Sequence, residues 1–115
     1  MYQTDLASKK CVPCEGGVKP FSKSQAEVYL TQAPGWQLGG NLAAGEAESI
    51  SRQFKFKNYK SALEFVNKVS EIAESEGHHP DLKFGWGYVD IKSSTHTIKG
   101  LSENDFILAA KINQL

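Results

Sequence analysis

No apolar run in this 115-residue chain approaches the roughly 20 residues that span a bilayer. No membrane partner is therefore expected. An excess of one charge is missing too. Thirteen Lys and Arg face thirteen Asp and Glu, so the formal charge is zero with the histidines neutral. Nucleic-acid binders carry a clustered basic excess, and direct nucleic-acid binding is not expected. Cysteine is scarce, with only two. The N-terminal stretch "MYQTDLASKKCVPC" lacks the apolar segment of a secretory signal. A cytoplasmic location is the expectation, with Cys11 and Cys14 as reduced thiols.

What is present describes one ordinary domain, residues 1–115, with room for one modest core. Residues 1–23 show little periodicity, and "CVPCEGGVKPFS" reads as an irregular arm outside both core and site. Ser24 followed by Glu27 fits a capping box and predicts a short helix over 25–32, stopped by Pro34 and Gly35. Trp36–Leu38 is a candidate strand. "SISRQFKFK" alternates, with Ile50, Phe54 and Phe56 on one face, and predicts another. Ala62, Phe65, Val66, Val69, Ile72 and Ala73 recur at helical spacing, so "KSALEFVNKVSEIAESEG" is the clearest helix. Gly77 is placed to end it in a left-handed conformation. Two strands are expected at 81–85 and 87–94. Ser102 and Asp105 suit an N-cap and its third-position partner, Leu101 and Phe106 a hydrophobic staple, for a last helix over 103–113. The order α-β-β-α-β-β-α with short turns predicts an α+β domain of two layers. A four-stranded antiparallel sheet would have its three helices on one face.

The three histidines carry the chemistry. His78 and His79 sit in "ESEGHHPD" just past the long helix, and His96 follows the last strand. Functional groups gather at such element ends, and Pro80 restricts the backbone of His79. An antiparallel sheet packed on that helix can bring the two ends together. Idle, solvated loop histidines are the plain alternative. Zinc is another, since three histidines and a carboxylate suffice to bind it, although adjacent histidines usually project apart. Cys11-Val-Pro-Cys14 has the spacing of half a zinc site. It does not sit at a helix N-terminus after a strand, as a redox motif would.

Glu74-x3-His78-His79-Pro80, the aromatic Trp86, Thr95-His96 and "GLSENDF" ending its motif at Asp105 together resemble the pterin-4a-carbinolamine dehydratases. In animals these are also called dimerisation cofactors of hepatocyte nuclear factor. The resemblance runs from about Trp36 to the C-terminus and includes "FKFKNYKSALEFV". The "CVPCEGG" arm is similar to that of some bacterial and plant members. One departure is Gly77, where animal members often carry an acidic residue.

The resemblance implies a substrate and a reaction. The substrate is a tetrahydropterin with a hydroxyl on carbon 4a, and water is eliminated to give the quinonoid dihydropterin. The hydroxyl must be protonated as it leaves, and ring nitrogen 5 must lose a proton. No hydride or electron moves, so no cofactor is expected. Histidine, with an ordinary pKa of about 6.5, suits both tasks. By family position, His78, His79 and His96 line the pterin pocket. His78 and His96 would transfer the protons, in either assignment, while His79 holds the hydroxyl or orients the ring. Pro80 and the segment Ser94, Thr95, Thr97 and Ile98 would form wall around His96. Glu74, one helical turn before His78, would bond it or the pterin. Asp105 suits a helix cap and the positive end of the helix dipole; the resemblance adds that it orients His96 from behind. Trp86 reads as core or interface more readily than as a ring stacked on the pterin. A homodimer or homotetramer is implied. A binding module for a transcription factor and a relative serving molybdenum-cofactor metabolism are the alternative functions.

Overall fold

The computed structural model describes residues 6–12 and 19–115. Cys14 and the segment around it lie outside the described residues. The elements follow in the order α1 (Lys23–Leu30), β1 (Gln37–Gly39), β2 (Ser49–Lys55), α2 (Tyr59–Glu76), β3 (Asp81–Gly85), β4 (Tyr88–Ser93) and α3 (Glu103–Ile112). Short 3-10 turns add Leu6–Ser8, Leu42–Ala44 and His96–Ile98. All strand pairs are antiparallel, in the spatial order β1-β2-β4-β3. The α+β fold with three helices and one four-stranded sheet is the expected one.

Register decides which sheet face is covered. Ile50 pairs with Ser93, Arg52 with Ile91 and Phe54 with Val89. Leu82 and Phe84 of β3 pair with Ile91 and Val89. Directly opposed residues share a face, so these side chains form the helix-covered layer. Ile50, Val89, Ile91 and Ser93 are fully buried there, beside Phe106 and Leu108 of α3 and Val69 of α2. The opposite face carries Gln37, Ser51, Gln53, Asp81, Lys83, Asp90 and Lys92. That polarity is what an antiparallel sheet open to water on one side requires. Arg52 is the charged residue on the covered face. It lies at its edge, bonds Asn113 Oδ1 at 2.7 Å and stacks over Phe54.

Element ends follow local chemistry with one correction. The capping box of α1 is Ser22 with Gln25, not Ser24 with Glu27. Phe21 explains the shift. Its N–H bonds the Leu101 carbonyl at 2.8 Å and its ring packs on Tyr29 and Phe106, which anchors the helix start two residues earlier than expected. Glu27 is left exposed. The strand expected at Trp36 begins at Gln37, because Trp36 turns inward and donates its Nε1–H to Asn113. At the other end of the long helix, Asn58 caps α2 by accepting from the N–H of Ser61. Leu101 and Phe106 are both fully buried in one cluster, as a staple requires.

The arm is the second correction. It is not peripheral: Leu6 is 2% exposed and belongs to the core, and its 3-10 turn packs on α3. Trp86, on the tight turn between β3 and β4, is 71% exposed and so is not core. Among the described residues no helix is long and apolar enough to cross a membrane.

Candidate active site

His78 owes its position to the way α2 stops. Gly77 adopts φ 66° and ψ 25°. Its N–H bonds the Glu74 carbonyl, and the N–H of His78 reaches back to Ala73. This is the Schellman arrangement, which reverses the chain just past the helix. The His78 ring is carried inward to the first turn of α3, where Nε2 lies 2.7 Å from Asp105 Oδ1. His78 is 11% exposed and Asp105 not at all.

Asp105 is the hub. Its Oδ1 also accepts from the Ser93 hydroxyl at 2.6 Å. Its Oδ2 accepts from the Thr95 hydroxyl at 2.7 Å and from the Ser102 N–H at 3.0 Å. The last bond is the expected service to the helix N-terminus, whose dipole favours a carboxylate. A buried carboxylate is tolerated only when so fully bonded. No buried side-chain nitrogen or oxygen among the described residues lacks a partner.

The third histidine comes from a cinched loop. Thr95 and Gly100 form an isolated antiparallel bridge, and Lys99 takes a left-handed φ of 54° to close the turn. His96 and Thr97 stand exposed on that turn. The result is a cleft of about 220 Å³. His78 and His79 line one side with Gly77, and Ser94 through Thr97 line the other, His96 among them. Asn104 and Val12 complete it. A larger hollow of about 520 Å³ lies over the polar open face of the sheet and shares none of these residues. The smaller cleft is the one lined by all three histidines.

Three assignments to neighbours are revised by geometry. Asp105 bonds His78, not His96. Glu74 bonds neither His78 nor the cleft; its Oε1 meets Nε2 of His79 at 2.8 Å in an exposed pair. Pro80 and Ile98 are not wall residues, and Ile98 is buried. Ser93, Val12 and Asn104 are contributors that had gone unseen. Ser93 could have been found, since β4 alternation places it on the covered face beside Ile91, where a hydroxyl demands a partner. Val12 had no such signal, because nothing local ties an arm residue to a site some 65 residues away in sequence; the tie is a bond from Cys11 N–H to Glu76.

Because Asp105 receives Nε2–H, the neutral His78 ring keeps its lone pair on Nδ1, the nitrogen left for a ligand. A buried carboxylate behind an imidazole holds its orientation and stabilises the cation formed when it takes a proton. The comparisons with known proteins now bear on this arrangement. A family model described as pterin 4 alpha carbinolamine dehydratase matches residues 19–115. The chain belongs to that family. It is 50% identical over 111 residues to a protein of Azoarcus sp. (strain BH72) provisionally named pterin-4-alpha-carbinolamine dehydratase, covering 96% of this chain and 91% of that one. A relative of the same provisional name from Halorhodospira halophila is 52% identical over 110 residues, with 96% of each covered. Among solved structures, the transcriptional coactivator/pterin dehydratase from Brucella melitensis superposes with TM-score 0.74 at 30% identity. That match covers 84% of this chain and 97% of that one. In this dehydratase-family chain, His78, His79, Thr95 and His96 belong both to the family motif and to the cleft lining, and the motif's Asp105 lies behind His78.

Proposed function

We propose that the chain is a hydro-lyase acting on 4a-hydroxytetrahydrobiopterin, or a close pterin-4a-carbinolamine, in tetrahydropterin recycling. The observation that carries the reading is the Asp105–His78 pair at a cleft that His79 and His96 also line. His78 Nδ1 takes the proton from ring nitrogen 5, and Asp105 stabilises the resulting imidazolium. The electron pair of that N–H bond forms the C4a=N5 double bond. The C4a–O bond breaks, and His96 protonates the departing hydroxyl so that it leaves as water. Exchange with solvent resets both rings, for which the exposure of His96 is suited. His79 orients the hydroxyl or the ring from the same side as His78. Positioned proton transfer of this kind typically contributes about 10²–10⁴-fold.

The exposed Tyr59, Leu63 and Trp86 offer apolar surface to a second copy, in keeping with a homodimer or homotetramer in the cytoplasm. The test of the reaction is turnover of chemically generated 4a-hydroxytetrahydropterin, followed by formation of the quinonoid product. Acceleration over the spontaneous rate supports the dehydratase. Binding of pterin without acceleration overturns it in favour of a binding module.

A further inference from the structure

The segment Leu6–Val12 plays no part in the reaction as written, yet it is fastened to both helices that carry the His78–Asp105 pair. Lys9 Nζ bonds Glu103, the first residue of α3, at 2.7 Å, and that hydrogen bond raises the lysine pKa above its ordinary value. Lys111 Nζ bonds the Ala7 carbonyl at 2.7 Å. Cys11 N–H bonds Oε1 of Glu76, the last residue of α2, at 2.8 Å. The closing clasp is reciprocal. Asn104, 4% exposed, accepts from the Val12 N–H at 3.0 Å and donates its Nδ2–H to the Val12 carbonyl. An amide side chain that satisfies both backbone groups of one residue fixes that residue as a strand partner would. The residue so fixed is 64% exposed and lines the histidine cleft. Every other described residue lining that cleft is His, Ser, Thr, Asn or Gly. Val12, among the described residues, brings the one purely hydrocarbon side chain to it. Binding sites for flat heterocycles combine a few placed polar groups with apolar surface, and among the described residues Val12 is the one that supplies such a side chain here.

We propose that Val12 is a specificity-determining residue, the apolar wall against which the substrate's bicyclic ring packs, and that Asn104 is the positioning residue that holds it there. The assignment rests on the dehydratase reading. The test uses the full chain and 4a-hydroxytetrahydropterin. Val12→Ser removes the hydrocarbon from an exposed site and leaves folding intact. It should raise KM roughly five- to tenfold with kcat changed less than about twofold, the signature of lost uniform binding. Asn104→Leu keeps the volume but breaks the clasp, and should raise KM by the same factor. Because Asn104 acts through Val12, the double variant should be no worse than either single one. A second readout needs no pterin. Release of the strap should speed acylation of His78 by diethyl pyrocarbonate severalfold in Asn104→Leu, with an unchanged melting curve excluding global unfolding. Normal turnover with unchanged KM in Val12→Ser overturns the Val12 assignment, and with it the role of Asn104, but leaves the dehydratase reading standing. Additive effects in the double variant, or an unchanged His78 acylation rate, overturn the positioning role of Asn104. Absence of turnover in the unaltered protein overturns the dehydratase reading itself, and the Val12 assignment with it.

Discussion

His78 and His79 are neighbours in the chain, and each presents Nε2 to a carboxylate, at 2.7 and 2.8 Å. The two pairs nevertheless live in different media. The side chains of His78 and Asp105 are 11% and 0% exposed, those of His79 and Glu74 63% and 82%. Water screens the second pair, and holding two mobile side chains together offsets much of what attraction remains. The first pair is cut off from water and braced by Ser93, Thr95 and the Ser102 N–H. Equal distances therefore carry unequal consequences. One pair holds its imidazole in a fixed place, and the other leaves the His79 ring able to turn.

The largest effect should come from breaking the buried pair. Asp105→Asn replaces one acceptor oxygen with an amide that faces donors, and leaves a hydroxyl or imidazole unpaired in the interior. We expect a loss of about 3 kcal/mol in stability and a fall in turnover on the order of 10²-fold. Denaturant unfolding and turnover on the same preparation check it. A stability change under about 1 kcal/mol with full activity would reduce Asp105 to a helix cap.

His96→Ala probes the opposite wall of the cleft, where the side chain is exposed and burial contributes nothing. Turnover should fall on the order of 10²-fold while stability stays within about 0.5 kcal/mol. Normal activity would remove His96 from the mechanism and leave the cleft with one proton-transfer group.

Gly77→Ala acts on the turn that sends the two neighbours to their separate environments. A Cβ there meets no atom within 4 Å, so only the positive φ is penalised. The melting curve should report about 1 kcal/mol of destabilisation. An unchanged melting temperature would mean that the turn is not held in the left-handed region in solution.

The smallest effect is expected from Glu74→Gln, which removes the charge of the exposed pair. Stability should change by less than about 0.5 kcal/mol, and turnover by less than about twofold, well short of the factor assigned to a proton-transfer group. A drop comparable to that of Asp105→Asn would erase the contrast between the two histidines and give Glu74 a direct role toward the substrate.

Much of this protein was readable from residue order, for a shared reason: the patterns are local. The apolar stripe from Ala62 to Ala73 specifies α2, and Gly77 supplies the conformation that ends it. Ser102 and Asp105 mark the start of α3, and alternation in β2 and β4 assigns their faces. The histidine motif with its downstream Thr95-His96 and Asp105 pointed to the family. Each of these signals spans a few residues, or is a spacing that survives whatever the rest of the chain does. Where the local signal misled, as Ser24 with Glu27 did for the cap of α1, the choice of Ser22 fell to the packing of Phe21 on Tyr29 and Phe106, which spacing does not encode.

The partners across the site belong to tertiary structure alone. The resemblance placed Asp105 behind His96, and nothing in the residue order pointed to His78 instead. The chain reversal at Gly77 and the docking of α2 against α3 decided for His78, 27 residues away. Alternation places Arg52 on the apolar face of β2, but only the packing of α3 supplies Asn113, 61 residues on, as its partner. Val12 reads as part of an irregular arm until Asn104, 92 residues on, clasps its backbone at the edge of the cleft. Which end meets which is set by how the helices pack on the sheet, and that packing is a property of the whole core rather than of any stretch within it.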